Sequence, residues 1–167
     1  MSDPTNICLS CGICCDGTLV GFVKLEAGEL NAVRKVMDIE EENGDGFFLQ
    51  PCKKFCNACT IYEDRPKQCA SFECGLLKSV DQKELSFDSA VGTVQEAKQL
   101  KLAIEKQFAA LDYTLKSPSF YFQMVELKRA LLATKKKNAF SEGHVNLERD
   151  IDQLGSLLLN KFGLSNF

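Results

Sequence analysis

The sequence predicts an α+β fold that is mainly α, with an irregular, metal-stapled, cysteine-rich N-terminal half packed on a C-terminal helical hairpin or bundle. Three observations predict it. All nine cysteines lie in the first 74 residues and none in the last 93. Charge divides at the same place: residues 1–74 carry 7 Lys/Arg against 12 Asp/Glu, and residues 75–167 carry 13 against 11. Apolar residues recurring at helical spacing dominate only the second half. The expected organisation is a cysteine-cluster region over residues 1–78 and a helical region over 79–167, together forming one compact domain.

Taken in order, Thr18–Lys24 has strand composition. Glu26–Met37 places Leu30, Val33 and Met37 on one helical face. Glu40–Gly46 reads as an acidic, solvated loop without the ligand spacing of a calcium loop. Phe47–Leu49 and Cys59–Tyr62 read as two short strands joined through the middle cysteines, the second stopped by Arg65-Pro66. In the second half, Val94, Ala97, Leu100, Ile104, Phe108, Leu111 and Leu115 form a continuous apolar stripe. Ser117 and Pro118 suit the N-cap and first position of the next helix, which closes on Lys135-Lys136-Lys137. That basic triplet suits the negative end of its own helix dipole. Asn146 is the expected cap of a last helix, with Leu147, Ile151, Leu154, Leu158 and Phe162 on one face and Gly163 ending it.

Composition excludes several classes. A chain of 167 residues with 45% apolar and 26% charged residues is globular and long enough to bury a core without cross-links. No apolar run approaches the length of a membrane span, and Met1–Asn6 does not read as a secretory leader, so a cytoplasmic protein with no membrane contact is expected. A net charge of −3 and a pI near 5.3 predict no nucleic-acid partner. In a reducing compartment, clustered cysteines signal metal ligation or redox chemistry rather than disulfides.

The cysteines form two groups, Cys8-x2-Cys11-x2-Cys14-Cys15 and Cys52-x3-Cys56-x2-Cys59-x9-Cys69-x4-Cys74. A C-x2-C unit turns two sulfurs toward one point, and Gly12 suits the tight turn between Cys11 and Cys14. Adjacent Cys14 and Cys15 point apart on an extended chain, so they serve two centres or one is a spectator. Lys53, Lys54, Arg65 and Lys67 interleave with the second group and can offset thiolate charge. Tyr62 and Arg65 either hydrogen-bond the cluster or act as a strand residue and an ion-pair partner of Glu63 or Asp64. His144, the sole histidine, reads as a loop residue remote from the cysteines. No catalytic residue is assigned: the chain shows no phosphate loop, nucleophile elbow or dinucleotide fingerprint.

The joint pattern, with Ile61-Tyr62 and Arg65-Pro66 between Cys59 and Cys69, resembles the CxxCxxCC (YkgJ-type) cysteine-cluster family, described as zinc- or iron-chelating. The resemblance implies Cys8, Cys11, Cys14, Cys15, Cys52, Cys59, Cys69 and Cys74 as metal ligands, and leaves Cys56 outside the pattern. It covers roughly residues 8–75. Flagellin lysine methylases carry a related cluster in much longer chains, so their activity is not carried over. The metal is zinc, in two four-thiolate sites, or iron, as a [4Fe–4S] cluster on the ferredoxin-like spacing of Cys8, Cys11 and Cys14. The expected function is cytoplasmic metal chelation, in metal handling. The alternatives are an iron–sulfur enzyme or electron-transfer accessory, and a structural zinc module whose helices bind a protein partner.

Overall fold

A computed structural model describes residues 6–164. The fold is α+β and mainly α, as the sequence predicts. In chain order it comprises α1 (Ile7–Cys11), β1 (Phe22–Leu25), α2 (Leu30–Val33), β2 (Glu40–Glu42), β3 (Asp45–Leu49), β4 (Phe55–Cys56), β5 (Ala58–Cys59), α3 (Lys67–Ser71), α4 (Gly75–Asp81), α5 (Phe87–Ala110), α6 (Phe120–Lys136) and α7 (Glu142–Leu157). A single π-helical turn, Leu158–Phe162, continues α7 and ends on Gly163 at a left-handed φ of 76°.

The helical core forms where α5, α6 and α7 bring their apolar faces together. Val94, Ala97 and Ile104 of α5 meet Met124, Leu127 and Leu131 of α6 and Leu147, Ile151 and Leu154 of α7, all buried. Ile7, Ile13, Leu19 and Leu76 from the cysteine-rich half enter the same core. A second, smaller core lies under the three-stranded antiparallel sheet, ordered β1-β3-β2, where Val23, Leu25 and Phe48 cover Val33 and Met37. Strands β4 and β5 form a separate hairpin.

Several element boundaries differ from the sequence expectation. The acidic segment Glu40–Gly46 is a hairpin: Glu40 faces Phe47 and Glu42 faces Asp45 across a turn at Asn43 and Gly44, with φ of 55° and 87°. Asn-Gly is the pair that favours this two-residue turn, and it outweighs the charge run. Of Glu26–Met37 only Leu30–Val33 is helical, between turns, although Val33 and Met37 are buried as expected. Strand β5 stops at Cys59, and Phe47–Leu49 pairs with β1 and β2 instead of with it.

Helix α6 starts after Ser119, not Ser117, because Ser117 is used one step earlier: its hydroxyl accepts from the Ser119 amide, and Glu126 accepts from the Ser117 amide. Helix α7 is capped by Ser141, not Asn146. Its N3 residue is His144, whose Nδ1 accepts from the Ser141 amide at 3.1 Å in the position usually filled by Glu or Gln. His144 is therefore a helical capping residue rather than a loop residue. The lysine triplet does close α6, and Lys135 pairs with Glu148 at 3.1 Å. Among the described residues no helix is long and apolar enough to cross a membrane.

The C-terminal end of the described chain packs against Gly75. A Cβ there would stand 3.1 Å from the Phe162 carbonyl carbon and 3.3 Å from the Gly163 nitrogen, both backbone atoms that cannot step aside. Gly75→Ala is expected to destabilise the protein by about 1–3 kcal/mol through this overpacking. Gly92→Ala, inside α5 with nothing within 4 Å of the new methyl, is expected to stabilise it by about 0.5–1 kcal/mol. Urea unfolding of both variants checks the opposite signs.

Candidate metal centre

Each cysteine is placed by its local sequence. Asn6 caps α1, its side chain accepting from the Cys8 amide at 2.9 Å and donating to the Tyr62 hydroxyl at 2.7 Å. Cys8 and Cys11 thus lie on a single helical turn that ends at Gly12, where φ is 76°. A Cβ on Gly12 would stand 2.3 Å from the Phe55 ring, so only glycine admits both the turn and the ring that covers it. Ile13 then plunges into the helical core with no exposed surface. Cys14 and Cys15 follow, and Asp16 fixes their exit: it caps Thr18 and pairs with Lys101 of α5 at 3.1 Å, both ion-pair partners being largely buried.

The second group is hung on the first. The Cys52 amide donates to the Cys15 carbonyl at 2.8 Å, and the Cys52 sulfur lies 3.8 Å from the Met37 sulfur. Cys59 sits on β5 and Cys69 on α3. Cys74 caps α4, its sulfur accepting from the Leu77 amide at 3.4 Å. All nine thiols are free.

Eight of them line one cavity of about 780 Å³: Cys8, Cys11, Cys14, Cys15, Cys52, Cys59, Cys69 and Cys74. Cys56, on the outer hairpin, is exposed and does not line it. His144 lies with Phe140 and Tyr113 in the helical region, away from the cavity. The structure therefore brings together the sequence-predicted ligands and leaves out the cysteine that the pattern omits.

Burial dominates the electrostatics. It pushes the thiols of Cys11 and Cys15 up to about 12 and that of Cys69 up to about 11, and it raises Cys8, Cys14 and Cys52 as well. Neighbouring sulfurs add to the rise. Against them act Arg65 on Cys8 and Cys69, Lys54 on Cys52, and Lys98 of α5 on Cys11. Lys98 was not legible in the sequence, because only the fold brings α5 to the cysteine turn. Lys53 and Lys67, expected to offset thiolate charge, instead pair with Asp38 and Glu26 on the surface. Arg65 stacks 3.8 Å over the Tyr62 ring and donates to the Tyr62 carbonyl; among the described residues it makes no ion pair with Glu63 or Asp64.

Soft thiol donors in this number select zinc or iron–sulfur chemistry over hard, oxygen-loving cations, so the donor set fits zinc or iron. The sulfurs stand on the cavity wall: among the described residues no three Cys, His, Asp or Glu side chains are already drawn up in a metal-holding group. A tetrahedral zinc site would need four of these sulfurs at about 2.3 Å from the ion.

A family model described as "CxxCxxCC: Putative zinc- or iron-chelating domain" matches residues 7–100. The chain belongs to this CxxCxxCC family. The match spans α1 through the first half of α5 and so takes in all eight cavity cysteines together with Lys98. Comparison with curated proteins and with solved structures gave no match.

The raised thiols give the metal-free fold a pH signature. A thiol that ionises higher in the folded chain than its ordinary value of about 9.0 favours the fold while it is protonated. That contribution is complete below about pH 9 and is lost as pH rises toward about 12. Urea midpoints of the metal-free protein are expected to be flat from pH 7 to about 8.5 and to fall above it.

Proposed function

We propose that the protein chelates zinc or iron through Cys8, Cys11, Cys14, Cys15, Cys52, Cys59, Cys69 and Cys74, and that it acts in metal handling. The observation that carries this is the common cavity, which takes in these eight of the nine cysteines and leaves out Cys56. Buried small thiols in an ordinary core pack against apolar neighbours one at a time; they do not gather around one cavity. Nine free thiols suit a reducing compartment, and the cytoplasm is the location we assign. Exposed Leu102, Leu132, Val145 and Leu159 give the helical region a surface for a protein partner in metal transfer.

A second reading has its own support. A cavity of about 780 Å³ lies in the size range of small-molecule sites, and Tyr62, Arg65 and Asn6 line it beside the sulfurs. This favours an iron–sulfur centre serving an enzyme. Anaerobic purification separates the two: a brown protein with iron and sulfide in similar amounts supports the cluster, and a colourless one with stoichiometric zinc supports the ion. A preparation free of every metal overturns chelation.

Cys56 tests the ligand set. Cys56→Ser is expected to retain most of the metal, whereas Cys59→Ser loses it from its site, since a hydroxyl replaces thiolate poorly at a soft centre. In the native protein Cys56 is expected to be the first cysteine alkylated, being the exposed one. Equal metal loss from the two variants would make Cys56 a ligand.

Chelator treatment tests the organisation. Structural metal contributes folding energy directly. Its removal is expected to raise amide exchange in α1, α3 and the β4–β5 hairpin while α5, α6 and α7 keep their protection, because those three helices carry no cysteine of their own. Equal loss of protection in α5–α7 would show that the helices depend on the metal.

A further inference from the structure

The eight cavity thiols are not equivalent neighbours of one another. Cys8 and Cys11 share α1, and Cys74 caps α4, which packs directly on α1. Cys11, Cys14 and Cys74 all rest against the helical core. Cys52 and Cys69 rest instead against the core beneath the sheet, with Val23, Met37 and Phe48. Cys15 belongs to this second side through its carbonyl, which accepts from the Cys52 amide at 2.8 Å. The hairpin carrying Cys59 is tied to the same segment: the Phe55 amide donates to the Cys52 carbonyl at 3.0 Å, and the Phe55 residue pairs with Cys59 across the hairpin.

We propose that the cavity holds two separate four-thiol centres, one of Cys8, Cys11, Cys14 and Cys74 and the other of Cys15, Cys52, Cys59 and Cys69, divided at the Cys14–Cys15 peptide bond. The proposal rests on the chelation reading above and specifies which sulfurs act together. Cys14 and Cys15 lie in a turn closed by the Asp16 amide donating to the Gly12 carbonyl at 2.9 Å, not in the extended chain the sequence suggested. Successive side chains on such a turn diverge by about 100°, so one dipeptide supplies a ligand to each centre. Ile13 and Asp16 hold that dipeptide from either side, the first in the helical core and the second on Lys101.

The electrostatic neighbours of the thiols follow the same division. Cys8 and Cys11 feel Cys74, and Cys14 feels Cys11, Cys74 and Cys8. Cys15 feels Cys52, Cys59 and Cys69, and Cys69 feels Cys52 and Cys59. Across the division Cys14 feels Cys15, its own chain neighbour.

The test counts metal in full-length protein purified anaerobically. Cys14→Ser and Cys15→Ser are each expected to keep about half of the wild-type metal. Cys14→Ser with Cys74→Ser, a pair within one set, is expected to keep the same half. Cys74→Ser with Cys69→Ser, one from each set, is expected to keep none. A within-set pair that empties the protein, while a cross-set pair does not, overturns the grouping. As a measurement independent of any variant, metal-free wild type is titrated with Co²⁺. Sulfur-to-cobalt absorbance rising to two equivalents supports two centres, and saturation at one equivalent overturns them. Wild-type protein that takes up neither native metal nor Co²⁺ instead overturns the chelation reading itself.

Discussion

The burial of Ile13 is the constraint on which the rest of the structure depends. A fully buried side chain in the middle of the cysteine turn fixes that turn to the helical core, and each neighbouring requirement follows. Gly12 must take a left-handed conformation to let the chain descend, and Phe55 closes over it. Asp16 must bring the chain back out, which it does on the largely buried Lys101 side chain. Cys15 then presents its carbonyl to Cys52, so the second cysteine group takes its position from the first. A hydrophobic anchor of this kind is worth a few kcal/mol at most, yet it positions sulfurs contributed by widely separated segments.

This arrangement answers how a small protein can hold buried thiols before any metal arrives. Neutral thiols behave as small apolar groups and are tolerated in a low-dielectric cavity, whereas thiolates are not. Burial keeps the protons on, and Arg65, Lys54 and Lys98 are the cations that ease their departure. Arg65 acts on a cysteine from each side of the cavity, Cys8 and Cys69, and its stacking on Tyr62 holds it there. Tyr62 is in turn fixed by Asn6 at the start of α1. Tyr62 and Arg65 of the cysteine pattern therefore belong to the electrostatics of the cavity and not to strand pairing.

Much of this was legible in the sequence where a signal is local and repeated. The α5 stripe is such a signal, and Val94, Ala97 and Ile104 are buried as its spacing requires. The cysteine pattern of the family resemblance is another: it leaves Cys56 outside although the Cys56-x2-Cys59 spacing by itself suits ligation, and Cys56 does not line the cavity. Signals that depend on one unusual residue were missed. His144 occupies a capping position that Glu or Gln normally fills, and the start of α7 was misplaced for that reason. The Asn43-Gly44 turn was outweighed by the acidic residues before it. Lys98 and Lys101 could not be read at all, since their relation to Cys11 and Asp16 exists only once α5 lies across the cysteine turn.

The small sheet has two edges, and they are protected by different means. The outer edge, β2, is three consecutive glutamates, whose charge discourages pairing with another chain. The other edge, β1, is covered by α3: the Gln68 side chain accepts from the Lys24 amide, and Glu29 accepts from the Lys67 amide at 2.7 Å. The helix that shields this edge is also the helix that carries Cys69. Whatever loosens Cys69 from its neighbours therefore frees a strand edge bearing Phe22, Val23 and Leu25. The cysteine cavity and the cover of this strand edge are joined through one helix, and an uncovered edge is a template for pairing with another chain.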